Sequence, residues 1–298
     1  MTVPVPPPVP PPVPPPVPPP ATPEEARERP IGVFDSGIGG LTVVREILSQ
    51  LPAEHVLYFG DSARVPYGGK SVETVTRFSI ENTRFLVRRG IKFLVVACNT
   101  ASAVALPALE RRFEIPMIGV ILPGARAAVQ RSRSRRIGVI GTTGTVGSRA
   151  YEKAIAEIDA SCAVEAAACP LFVPLAEEGW VDGEIPLGIA RSYLEPIRRS
   201  GVDTVVLGCT HYPLLREVIG EALGPQIDLV DTAEATVHDV REKLESLGLA
   251  RQAKGAGERT FYLSDVPLRF QQIGERFLGE PIENLHWIEQ SDIPWYER

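Results

Sequence analysis

A chain of 298 residues, 44% hydrophobic and 23% charged, holds apolar material enough for about two globular domains. Its formal net charge of −6, without a long basic run, excludes a phosphate-tracking surface, so no nucleic-acid partner is expected. No apolar stretch approaches the ~18 residues of a membrane span, no leader-like segment opens the chain, and the four cysteines form neither a CxxC pair nor a zinc-like spacing, so a reduced cytoplasmic protein without membrane contact is expected.

The first 20 residues, MTVPVPPPVPPPVPPPVPPP, hold 13 of the 29 prolines. Proline offers no amide hydrogen to a helix or sheet interior, so residues 1–30 read as a disordered or polyproline II tail running through ATPEEARERP to Pro30. The plain reading of this tail is a spacer; docking to a proline-binding module is the sharper one.

From Ile31 the pattern changes. IGVF (31–34), HVLYFG (55–60), KFLVVA (92–97), MIGV (117–120), RIGVIG (136–141), DTVVLG (203–208) and IDLV (227–230) read as buried strands. Amphipathic stretches lie between them, the first marked by Leu41, Val44, Leu48 and Leu51 on one helix face. Such alternation signals βα units and mostly parallel sheets. RSRSRR, the densest basic patch, reads as a solvated loop or helix end.

IGVFDSGIGGLTV at Ile31 and IGVIGTTGTVGSR at Ile137 are spaced much as VVACNT and VVLGCT are, which carry Cys98 and Cys209. Two coincidences in register indicate an α/β fold of two similar doubly wound domains, related by a pseudo-twofold, with the active site in the cleft between them. The first domain is read as 31–121 plus 232–298 and the second as 122–231. The helical DTAEATVHDVREKLESLG and the strand RTFYL then return to the first.

Ligands of open parallel sheets bind beyond the carboxyl ends of the strands. Asp35 and Ser36 follow the first strand, Cys98, Asn99 and Thr100 the third, Thr142 and Thr145 follow RIGVIG, and Cys209, Thr210 and His211 follow TVVLG. A cysteine at a strand end and helix start feels the helix dipole, which favours thiolate, and His211 can orient or exchange protons with Cys209. One cysteine beside a histidine suggests a nucleophile. Two in matching positions suggest an acid–base pair on opposite faces of one carbon, which inverts it. Cys162 and Cys169 read instead as small hydrophobes. In DSGIGG, Thr42 stands where a dinucleotide fingerprint has its third glycine, and the GK[ST] of a P-loop is lacking, so no nucleotide cofactor is expected.

IGVFDSGIGGLTV, YFGDSARVPYGGKS, VVACNTASA, IGVIGTTGTV, CPLFVPLAEEG and VVLGCTHYPLL, in this order, resemble the glutamate racemase family, within the cofactor-independent aspartate/glutamate racemases. The resemblance spans nearly all of residues 31–290. It implies a cytoplasmic isomerase that interconverts L- and D-glutamate with no pyridoxal phosphate, metal or other cofactor, supplying D-glutamate for peptidoglycan and so for cell wall biogenesis and cell shape. By motif match Cys98 takes the α-proton from D-glutamate and Cys209 from L-glutamate, with Asp35 assisting the first, and Glu177 and His211 the second. Asp35, Ser36, Tyr67, Gly68, Asn99, Thr100, Thr142, Thr145, Thr210 and His211 match substrate-binding positions, and Tyr67 with Pro66 and the following glycines reads as a lid or wall. An aspartate racemase and a non-catalytic small-ligand binding protein are the rival readings. The oligomeric state, a homodimer included, stays open.

Overall fold

Strand β1 (Ile31–Asp35) is buried at every position, as are β2 (Val56–Gly60) and β3 (Phe93–Val96). Continuous apolar runs of this kind suit the middle of a parallel sheet covered on both faces. A computed structural model describes residues 22–265 and 270–288. Helix α1 (Pro23–Glu28) precedes β1. Helices α2 (Leu41–Gln50), α3 (Val72–Arg88) and α4 (Asn99–Arg112) alternate with the strands as far as β4 (Met117–Gly119).

The second set follows α5 (Ile121–Arg131) with β5 (Arg136–Gly141), α6 (Thr143–Ser148), α7 (Ala150–Ile158), β6 (Ala163–Ala168), α8 (Phe172–Glu178) and α9 (Glu184–Arg199). Then come β7 (Thr204–Gly208), α10 (Arg216–Leu223) and β8 (Asp228–Asp231). The chain closes through α11 (Thr232–Ser246), β9 (Arg259–Leu263), α12 (Phe270–Leu278) and β10 (Leu285–Trp287).

One sheet runs β10-β9-β2-β1-β3-β4 and the other β6-β5-β7-β8, every pairing parallel among the described residues. The order β2-β1-β3-β4 is repeated as β6-β5-β7-β8. This sets β3, which leads to Cys98, in the same place as β7, which leads to Cys209. Register agrees: Val33 pairs with Val95 in one sheet and Val139 with Val206 in the other. RTFYL joins the first sheet beside β2 as expected. Helix α11 packs on both α2 and α5, bridging the two layered units. No helix among the described residues is long and apolar enough to cross a membrane.

The expected extended tail of residues 1–30 stops short of Pro30. Residues 1–21 lie outside the described residues, but 23–28 form α1 rather than an extended segment. Thr22 caps this helix: its hydroxyl accepts from the Glu25 amide at 3.1 Å, and Glu25 accepts from the Thr22 amide at 3.2 Å, a capping box. The helix is also tied to the body, where Lys92 donates to the Arg27 carbonyl at 2.5 Å and Arg251 pairs with Glu28 at 2.7 Å.

Candidate active site

Cys98 lies two residues past β3 and caps α4, its sulfur accepting from the Ala101 amide at 3.5 Å. That places the thiol at a helix N-terminus, as the sequence suggests. Cys209 differs. A single 3₁₀ turn, Tyr212–Leu215, separates it from α10, so it caps no α-helix. Its close partner is His211, whose Nδ1 lies 3.9 Å from the sulfur and 3.4 Å from the Thr210 hydroxyl. On the far side of the ring, Nε2 meets Glu177 at 3.0 Å.

Both cysteines line one cavity of about 260 Å³. Ser36, Asn99, Thr100, Thr142, Thr210 and His211 give its polar surface, and Val65, Pro66, Pro170, Val173 and Pro174 its apolar wall. Among the described residues the lining has no lysine or arginine. A larger, open groove of about 740 Å³ beside α9 and α10 is edged by Asp182, Glu184, Glu217, Glu221 and Asp228. It holds neither thiol nor any other residue expected to act.

Three expected residues stand behind the wall rather than in it. Asp35 is wholly buried, one oxygen accepting from the Gly37 amide at 3.0 Å and the other unpartnered among the described residues. Thr145 sits under Thr100 and Thr142, with hydroxyl separations of 3.2 and 3.1 Å. Glu177 reaches the cavity only through His211. Tyr67 and Gly68 border the cavity, but the Tyr67 hydroxyl turns away: it donates to Asp61 and accepts from Asn82 at 3.1 Å. Asp61 also holds Arg64 at 2.8 Å and Ser264 at 3.0 Å. This buried network, built on Asp61 and Arg64 of YFGDSAR, fixes the wall from behind.

The two thiols sit in different electrostatic settings. Burial pushes Cys98 up to about 12, the Asp35 carboxylate adding to the effect while the Ala101 amide and Ser36 hydroxyl oppose it. Burial raises Asp35 as well, against the pull of His211 and the nearby amides. For His211, burial favours the neutral ring, yet its bonds to Cys209 and Glu177 outweigh that and lift it to about 10. At neutral pH Cys98 is therefore a thiol, and Cys209 faces an imidazolium.

The glycine turn after β1 serves the cleft. A Cβ on Gly39 would come within 2.2 Å of the Thr210 hydroxyl and 2.4 Å of His211 Nδ1, so the turn is bare to let the second unit approach. Thr42 uses its hydroxyl on the carbonyls of Gly39 at 2.9 Å and Thr210 at 3.2 Å. Cys162 and Cys169 lie outside the cavity lining; Cys169 is fully buried and Cys162 partly so.

Two parallel sheets with the same strand order, each delivering a cysteine to one shared cavity, define a class, and the family model for Asp/Glu/hydantoin racemases matches residues 31–240. The chain belongs to that family. Within it the chain falls among the glutamate racemases. It is 55% identical over 260 residues to the glutamate racemase of Geobacter metallireducens, covering 87% of this chain and 96% of that one. The crystal structure of the Francisella tularensis glutamate racemase in complex with D-glutamate superposes with a TM-score of 0.84 at 38% identity, over 88% of this chain and 98% of that one. A glutamate racemase isoform of Bacillus anthracis gives 0.85 at 41% identity, over 90% and 99%.

Proposed function

We propose that this chain interconverts L- and D-glutamate by a two-thiol proton transfer at the α-carbon, supplying D-glutamate for peptidoglycan. The observation that carries the reading is the pairing of Cys98 and Cys209, from equivalent strands of the two sheets, in one cavity that has no lysine or arginine among its described lining residues. From L-glutamate the Cys209 thiolate takes the α-proton, and the Cys98 thiol delivers its own proton to the opposite face. The carbon is inverted, and Cys98 is left as thiolate with Cys209 as thiol. D-glutamate reacts by the same path reversed, so no cofactor is called for.

Hydroxyls of Ser36, Thr100, Thr142 and Thr210 and the amide of Asn99 bind the substrate carboxylates. Tyr67, its hydroxyl engaged elsewhere, contributes wall and backbone. Asp35 and the His211–Glu177 pair assist proton traffic at Cys98 and Cys209 respectively. A dry, enclosed pocket is needed because the α-proton is very weakly acidic. The same reading divides the chain into 31–121 plus 232–298 and 122–231, and the separation into two sheets supports that division. Aspartate is one methylene shorter, worth about 1 to 3 kcal/mol in a pocket, and the names of the relatives favour glutamate.

Circular dichroism of both amino acids and α-hydrogen exchange in deuterated water test the reading. Cys98→Ala and Cys209→Ala should each cut racemisation by at least ~10³-fold, the scale of losing a positioned acid or base. Cys98→Ala should exchange hydrogen only in L-glutamate and Cys209→Ala only in D-glutamate. Near wild-type racemisation in either variant overturns the two-thiol reading.

A further inference from the structure

We propose that Tyr151 is a positioning residue for glutamate binding: its hydroxyl fixes the side-chain amide of Asn99 so that the nitrogen is the end left for the substrate. The inference rests on the racemase reading and extends it to a residue with no contact to the cavity.

Asn99 follows Cys98 directly, opens α4 and borders the cavity. A carboxamide has a donating and an accepting end of nearly the same shape. Toward a substrate carboxylate only the donating end attracts. Tyr151, on α7, donates its hydroxyl hydrogen to Asn99 Oδ1 at 2.6 Å. Both side chains are buried, Tyr151 to 1% and Asn99 to 2% exposure. No other acceptor takes the Tyr151 hydrogen among the described residues, and a buried hydroxyl must donate somewhere. The amide oxygen is thereby claimed. Asn99 Nδ2 is buried with no partner among the described residues, which is a donor awaiting an acceptor.

The ring packs close against bare glycine backbone on two sides. A Cβ on Gly208 would meet its Cε2 at 3.1 Å, and one on Gly124 would meet its Cε1 at 3.4 Å. Gly208 precedes Cys209, so a single phenol spans from the end of the strand carrying one thiol to the residue after the other. Burial, with Cys209 and Asp231 nearby, keeps that phenol protonated far above its usual range, so its donor role persists across the working pH.

The test compares Tyr151→Phe, Asn99→Ala and the double variant by racemisation kinetics and by calorimetric binding of D-glutamate. Tyr151→Phe should raise KM for both enantiomers by about tenfold, the scale of one hydrogen bond to a charged group, with kcat changed far less. Adding Tyr151→Phe to Asn99→Ala should cost nothing further, because the first acts through the second. Losses that multiply in the double variant, or an unchanged KM with only the melting temperature lowered, overturn the inference. If Tyr151→Phe does not fold, Asn99→Asp reads the same contact: one oxygen still accepts from Tyr151, the other repels the substrate, and wild-type affinity there overturns the inference. The racemase reading fails separately, if the wild-type protein leaves the α-hydrogen of glutamate in place.

Discussion

Cys98 and Cys209 are matched in position and unmatched in surroundings: one caps a helix above a buried carboxylate, the other faces a histidine backed by Glu177 at 3.0 Å. With His211 lifted to about 10 from its ordinary 6.5, the charged ring contributes stability that is whole below about 6.5 and lost as pH climbs through about 10. Activity should follow the same limb. We expect kcat/KM to fall above about pH 10, and to fall equally for L- and D-glutamate, since mirror-image substrates share an equilibrium constant of one. Glu177→Gln removes the anion that favours the charged ring, so the limb should move down by about one pH unit. A limb that stays in place, measured by circular dichroism across the alkaline range, would show that His211 does not set it. Sequence alone located Cys98, Asn99, Thr100, Thr142, Thr210 and His211 because strand ends in a parallel sheet carry the chemistry. It was silent on Val65, Pro170, Val173 and Pro174, since apolar wall residues look like any other core.

Among the elements, the buried strands were the most legible, because a fully covered parallel strand leaves an unbroken apolar run. Where local chemistry competes with pattern, reading the sequence failed. The Thr22–Glu25 capping box sits in a proline-rich context that hid α1, and a 3₁₀ turn, Tyr212–Leu215, stands between Cys209 and α10. The residues of β10 are only partly buried, so that strand leaves a weak trace. RSRSRR runs from the end of α5 to the start of β5, and one carboxylate holds it. Asp203, just before β7, accepts from the Ser132 hydroxyl at 2.7 Å and from the amides of Arg133 and Ser134 at 2.8 and 2.7 Å. Burial would raise this carboxyl, but those three bonds, with the Ser134 hydroxyl, outweigh it and lower it to about 2 from its ordinary 3.8. The stability so gained is complete above about 3.8 and lost as pH falls through about 2. Asp203→Asn should cost about 1 to 2 kcal/mol at neutral pH, the difference from wild type shrinking in that acid window. Urea unfolding at neutral pH and in acid checks it; a constant difference would mean the carboxylate charge is not the cause.

At the scale of the whole molecule, the two sheets are joined by a seam that runs through the cavity wall. The Gly144 amide at the start of α6 donates to the Gly68 carbonyl at 2.7 Å, and the hydroxyls of Thr100 and Thr142 meet at 2.9 Å. Thr42 on α2 reaches the Thr210 carbonyl beside Cys209 at 3.2 Å. These contacts set how far apart the halves stand, and therefore where each thiol lies relative to a substrate carbon. A methyl on Gly144 would come within 2.9 Å of the Gly68 carbonyl oxygen and 3.0 Å of Thr100 Cγ2, so Gly144→Ala must push the seam open by some tenths of an ångström. Within α6 the same change favours the helix by about 1 kcal/mol. Local and global effects thus oppose each other. Gly147 lies on the same helix with nothing within 4 Å of an added Cβ, so Gly147→Ala carries the helical gain alone. We expect Gly144→Ala to lower kcat/KM for both enantiomers by about tenfold to a hundredfold, the scale of a misplacement below or near 1 Å, with little change in Tm. Gly147→Ala should raise Tm slightly at full activity. Should Gly144→Ala keep full activity, the spacing of the halves is set elsewhere, most directly by α11 where it packs on both α2 and α5.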